Sequence, residues 1–86
     1  MFIQTEETPN PNTLKFIPGA QVLKEGTVEF KDNVSAKSSN LASLIFSTNG
    51  VERVFLATEF VSVTKSNEDN WEILKPLILT AIMDHY

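Results

Sequence analysis

The chain has 86 residues, of which 42% are hydrophobic and 21% charged, with 11 acidic against 7 basic side chains and a net charge of −4. That is one domain's worth of globular sequence, neither disordered nor fibrous, and it should expose about 5,100 Å² when folded. Its few, scattered cations exclude an electrostatic grip on nucleic acid or an anionic membrane, and no apolar run approaches the ~20 residues that cross a bilayer. The start, Met1-Phe2-Ile3-Gln4-Thr5-Glu6-Glu7, has neither the basic and apolar regions of a signal peptide nor the Arg-rich character of a mitochondrial presequence. With no cysteine, the chain by itself can form no disulfide, thiol nucleophile or thiolate-bound zinc or iron–sulfur cluster. Its single histidine, His85, leaves no room for a His-based metal site or a Ser-His-Asp triad.

Residues 1–7 read as a short strand with Ile3 and Thr5 on one face. Thr8-Pro9-Asn10-Pro11-Asn12-Thr13 follows as a rigid, extended loop, because proline fixes φ, removes amide donors and restricts its predecessor, while Asn accepts turns. Leu14 to Ile17 is a strand ended by Pro18-Gly19. After a connection over 20–26, residues 27–31 alternate as a half-buried strand with Val28 and Phe30 inward. Residues 32–38 are loop-like. Ser38 or Ser39 then caps a helix of about ten residues with Leu41, Leu44, Ile45 and Thr48 on one face, stopped by Asn49-Gly50.

Val51 to Ala57 carries the nearly continuous run Val54-Phe55-Leu56-Ala57, which predicts a central strand covered on both sides, or one with a bulge. Thr58-Glu59 links it to Phe60–Lys65, where Val61 and Val63 point one way and Ser62 and Thr64 the other. The pair reads as a hairpin without the usual glycine. Ser66 to Asn70 is an acidic helix start. The last helix carries Trp71, Leu74, Ile78 and Ile82, with Leu77 and Ala81 beside them, and kinks or divides at Pro76. The order β-β-β-α-β-β-α predicts an α+β two-layer sandwich: a mostly antiparallel sheet of about five strands with two helices on one face. No repeat, low-complexity tract or linker interrupts residues 1–86.

Chemistry-bearing residues are few. Glu68, Asp69 and Glu72 could offer oxygens to a hard cation, but without the spacing of a calcium loop they read as charge placed at a helix start. Trp71 is either a core residue or a partner anchor, and its register with Leu74 and Ile78 favours the core. His85, next to the end, reads as solvated. Asn33-Val34-Ser35 matches a glycosylation triplet that means little without a secretory signal. Gly19, Gly26 and Gly50 are turn residues, not a phosphate loop, and no nucleophile–base pair is evident. The Thr8–Thr13 loop stands out as a shaped turn between strands or as an exposed recognition loop whose rigidity lowers the entropy lost on binding. From these patterns alone the chain is a soluble α+β binding or structural domain.

The segment Thr5-Glu6-Glu7-Thr8-Pro9-Asn10-Pro11-Asn12-Thr13-Leu14-Lys15-Phe16 closely resembles the opening signature of the N-terminal domain of Nfu (NifU-like) iron–sulfur scaffold and carrier proteins. The resemblance continues through Leu41-Ala42, Leu44-Ile45-Phe46, Gly50-Val51, Val54-Phe55 and Phe60 to Lys65, and ends with Trp71 and Leu74-Lys75-Pro76. Ser39-Asn40 stands where Ser-Pro is common in the family, and the hairpin lacks a frequent glycine. In that family a second domain, with a Cys-x-x-Cys motif, holds a 4Fe–4S cluster between two subunits and the protein passes clusters to apo-clients. No position here matches those ligands.

The resemblance therefore implies a single, non-catalytic N-terminal domain over 1–86, with the cluster domain absent from this chain and no cofactor of its own. Its partners would be apo iron–sulfur clients or assembly machinery and the cluster domain of a full-length parent, with no nucleic acid and no membrane. The expected contacts are the Thr8–Thr13 loop and the sheet face left open by the helices, if that face is rich in Phe, Val and Leu. Leu14, Lys15, Phe16, Gly50, Val51, Trp71, Lys75 and Pro76 are signature residues expected to be structural. The start at Met1 favours a bacterial cytoplasm over a mitochondrial matrix. The alternative reading is a small-ligand-binding regulatory domain, which needs a pocket with convergent polar groups.

Overall fold

The computed structural model describes all residues, 1–86, as five strands and two helices. The strands are β1 (Gln4–Glu7), β2 (Thr13–Ile17), β3 (Val28–Phe30), β4 (Val51–Leu56) and β5 (Val61–Lys65), and the helices are α1 (Asn40–Phe46) and α2 (Trp71–His85). A 3-10 turn spans Ser35–Ser38. The strands form one antiparallel sheet in the order β1-β2-β5-β4-β3. This is the α+β fold expected from the sequence, and its exposed area of 5299 Å² is close to that expected for the length.

Strand alternation decides which residues meet the helices. Leu14 and Phe16 on β2, Val61 and Val63 on β5, and Val54 and Leu56 on β4 are all buried. They pack with Leu41, Ala42 and Ile45 of α1 and with Leu74, Ile78, Ala81 and Ile82 of α2 in one core. Each large side chain taken fully out of water contributes on the order of 1.5–3 kcal/mol. Ser39 caps α1, its Oγ accepting from Ala42 N at 3.1 Å. Asn70 caps α2, its Oδ1 accepting from Glu72 N at 2.8 Å.

Several expectations are corrected. The apolar run of β4 is not covered on both sides: Val54 and Leu56 face the helices, and Phe55 faces the other way, opposite Ser62. The strand does carry an irregularity, since Val51 pairs with Lys65 and Arg53 with Thr64, leaving Glu52 as the extra residue. Val28 is exposed, because β3 is the sheet edge and only Phe30 reaches under cover. Helix α1 is only seven residues long, and Leu44 is half-buried rather than central to its face.

Ser66–Asn70 is not helical; α2 starts at Trp71, so of the acidic group only Glu72 lies in its first turn. Leu77 is exposed, on the side of α2 away from the core. Pro76 neither breaks nor divides α2: it is exposed, and the bond it forgoes is that to the Glu72 carbonyl, on a side of the helix open to water. His85 is half-buried rather than solvated, with its Nδ1 accepting from Asn40 Nδ2 at 2.9 Å.

The sheet face away from the helices is not rich in Val and Leu, since those residues point inward. Across it run Glu6, Lys15, Ser62, Phe55 and Glu29 in register. Lys15 Nζ sits 4.2 Å from the Phe60 ring centroid and 3.7 Å from Glu6 Oε1, and Arg53 Nε lies 3.7 Å from Glu29 Oε2. Phe55 and Phe60, with ring centroids 6.3 Å apart, form an aromatic island inside a charged surround.

Candidate functional site

The Thr8–Thr13 loop is shaped by its own side chains. Asn10 O accepts from Thr13 N at 3.0 Å, closing a turn with Pro11 in its second position, and Asn10 Oδ1 accepts from Asn12 N at 2.9 Å. No non-glycine residue has a positive φ, so the turn is of the type I kind that proline at this position favours. Thr8 Oγ1 accepts from Asn10 N at 3.2 Å and lies 2.9 Å from the carbonyl oxygens of both Asn10 and Thr13, which share its proton. Pro9 is exposed on the outside of the turn.

Five further hydrogen bonds bind the loop to the end of β5, the segment after it and the start of α2. Trp71 Nε1 donates to Pro11 O at 3.0 Å, while its ring meets Phe16 edge-on with centroids 6.4 Å apart. Lys65 N donates to Asn12 O at 2.8 Å, and Lys65 Nζ donates to Asn12 Oδ1 at 3.0 Å and to Ser66 O at 3.2 Å. Asn12 Nδ2 donates to Asn67 Oδ1. Thr13 Oγ1 and Thr64 Oγ1 bond at 2.8 Å. The Lys65 side chain is buried, has no carboxylate partner, and lies 5.9 Å from the Trp71 ring centroid. Trp71 is thus half-buried against the core, as its register predicts, and is also bonded to the exposed loop.

Gly50 and Val51 support this cluster from behind. Gly50 has φ +101°, its oxygen accepts from Ser66 N at 2.8 Å, and a Cβ there would lie 2.6 Å from Asp69 Oδ2. A side chain at this position would be strained by the backbone conformation and would have to displace the Asp69 carboxylate. Leu14 and Phe16 lie in the core, Lys15 on the open face, Lys75 half-buried beside Trp71, and Pro76 on the exposed side of α2. The signature residues therefore surround the loop, apart from Pro76 and Lys15, which face solvent.

Sequence reasoning missed Lys65, Asn67 and Thr64 as partners of the loop. A signal for Lys65 was there: it continues the inward register of Val61 and Val63. For Asn67 there was none, because its pairing with Asn12 joins residues far apart in the chain.

Between β1, the loop and the start of α2 runs an open groove of about 820 Å³, lined in part by Glu7, Leu14, Trp71, Glu72 and Lys75. Asp32 and Tyr86, whose pKa values are shifted, lie outside this groove. Asp32 is lowered chiefly by the Ser35 amide bonding its carboxylate, and Tyr86 is raised by burial. No group of three or more His, Cys, Asp or Glu is placed to hold a metal ion.

Residues 3–86 match the family model described as scaffold protein Nfu/NifU, N terminal. The chain belongs to the Nfu/NifU family. It is 51% identical, over its whole length, to NifU-like protein 5, mitochondrial, of Arabidopsis thaliana, and 49% identical to the human NFU1 iron-sulfur cluster scaffold homolog, mitochondrial. It covers 31% and 34% of those proteins, so it spans about a third of their length. Among solved structures, a NifU-like protein from Saccharomyces cerevisiae matches with TM-score 0.84 at 28% identity, over 96% of this chain and 76% of that one. Protein SAV1430 of Staphylococcus aureus matches with TM-score 0.80 at 27% identity, over 94% of this chain and 98% of that one. This Nfu domain is thus of the N-terminal type of an iron–sulfur scaffold family. The expectation of a bacterial cytoplasm finds no support in relatives whose names place them in mitochondria.

Proposed function

We propose that this chain is the N-terminal recognition domain of a longer iron–sulfur scaffold protein. It holds apo-client proteins or assembly partners near a cluster that is ligated by a separate Cys-x-x-Cys domain. It catalyses no reaction and ligates no cluster itself. One observation carries the reading: a chain matched to the scaffold family over residues 3–86 contains no cysteine and no cluster of metal-ligating side chains. Its contribution to cluster delivery must then come from its surface. The loop suits that task, because its turn is held by its own hydrogen bonds and by Trp71 and Lys65, so little order remains to be imposed on binding. The mitochondrial names of its relatives make the matrix the compartment we propose.

The ligand-binding alternative needs an enclosed pocket with convergent polar groups. The principal cavities are open surface grooves, which favours a protein partner. The test is a titration of the isotope-labelled chain with an apo 4Fe–4S client protein. The reading predicts saturable shifts of a contiguous set of surface amides. A chain that binds no client, or that takes up a stoichiometric 4Fe–4S cluster when supplied with iron and sulfide, contradicts it.

A further inference from the structure

We propose that the free edge of β1, with the groove between it and the start of α2, takes an extended peptide segment bearing Lys or Arg around an apolar residue. The segment adds to the sheet as one more antiparallel or parallel strand. The inference rests on the recognition reading above and supplies its place and its partner chemistry.

Strand β1 is the end of the sheet and pairs only with β2. No backbone group of Gln4–Glu7 bonds outside that ladder, so half of its N–H and C=O groups point into solvent. This is the arrangement that strand addition uses: main-chain bonds give affinity and neighbouring pockets read alternate side chains. The edge has a defined stop, because Pro9 and Pro11 cannot donate. The opposite edge, β3, has three residues, and its Glu29 already faces Arg53.

The groove beside β1 supplies the pocket. Leu14 and Trp71 give it an apolar floor, and Trp71 is already fixed by Pro11 O and Phe16, as a pre-organised anchor should be. On its side of the sheet it carries two carboxylates, Glu7 and Glu72, against one ammonium, Lys75, while Glu6 borders it from the other face, where it meets Lys15. Adjacent glutamates on an edge repel a second copy of the same edge and accept a cationic strand, so one feature gives both protection and choice of partner.

The test titrates the isotope-labelled chain with a capped peptide, Lys-Thr-Leu-Thr-Lys-Thr, whose two lysines and leucine share one face of an extended strand. Two control peptides are a glutamate-for-lysine twin and a twin N-methylated along one edge. The proposal predicts shifts at Gln4–Thr8 and Trp71–Lys75, including the indole N–H. Glu7→Gln and Glu72→Gln should each weaken binding about threefold, and Lys75→Gln should strengthen it by a similar factor. The N-methylated and acidic twins should bind at least about tenfold more weakly.

Shifts centred on Phe55 and Phe60, equal affinity for the acidic twin, or no binding overturn the proposal. An apo-client that binds the chain equally well with Glu7→Gln and Glu72→Gln combined would overturn the site while leaving the recognition reading intact. A client that fails to bind at all would remove that reading whatever the peptide does.

Discussion

Lys65 Nζ lies 3.0 Å from Asn12 Oδ1, joining the end of β5 to the turn that precedes β2. The lysine is 7% exposed and its other acceptor is a neutral carbonyl, Ser66 O, so this buried cation depends on Asn12. Removing one partner of a buried charged group costs more than replacing the group itself. Asn12→Ala is therefore expected to destabilise the fold by about 1–3 kcal/mol. Lys65→Met keeps the aliphatic packing and leaves the half-exposed Asn12 to water, so it should cost about 1 kcal/mol or less. Urea unfolding midpoints of the two variants check the order.

The Asp69 carboxylate fills the space that a Cβ on Gly50 would enter, with 2.6 Å separating that position from Asp69 Oδ2. Gly50→Ala is expected to cost about 2 kcal/mol or more, combining φ strain with displacement of the carboxylate. In an Asp69→Ala background the same change should cost about 1 kcal/mol, the conformational part alone. A double-mutant cycle by chemical denaturation measures the difference.

Pro76 sits inside α2 with its ring exposed. Alanine there restores the bond to the Glu72 carbonyl, and only unfolded-chain entropy opposes the gain. Pro76→Ala is expected to stabilise the domain by about 1–2 kcal/mol, read as a higher melting temperature. No change, or a loss, would mean that the proline ring makes a contact that the exposed position does not suggest.

Asp32 accepts from Ser35 N at 2.7 Å, and that bond, with the Ser35 hydroxyl and the Val34 amide, holds its carboxyl below the ordinary value of 3.8. A lowered carboxyl contributes stability that is present above its unfolded pKa and lost as pH falls through its folded one. The stability gap between the native chain and Asp32→Ala should therefore be fully open at neutral pH and close as pH falls below about 3.8. Denaturation curves at several pH values check this. A gap independent of pH would contradict it.

The layers of this fold were legible because each strand's alternation reports its inward face: Val61 and Val63 on β5, Leu14 and Phe16 on β2. The limits appear at particular residues. Val28 alternates correctly yet is exposed, since alternation gives the face and not how far the helices reach across it. Leu77 has the spacing of a core residue, but a helix on a sheet buries a narrower arc than its apolar sequence suggests. The run Val54-Phe55-Leu56 suggested two-sided cover, when Phe55 is instead sheltered by its neighbour Phe60. Of the site, the Pro/Asn turn was visible from local chemistry. Of its ties, only the inward register of Lys65 was legible, and its bonds to Asn67 and Trp71 were not, because they join residues brought together only by the β2–β5 pairing.

The central claim is that this domain recognises and does not ligate. It is tested most directly by cluster transfer from a full-length scaffold, with and without this domain, to an apo 4Fe–4S client. The account predicts that deletion slows transfer and weakens client binding while the cluster content of the scaffold stays the same. Unchanged transfer after deletion, or a scaffold that loses its cluster with the domain, would contradict it.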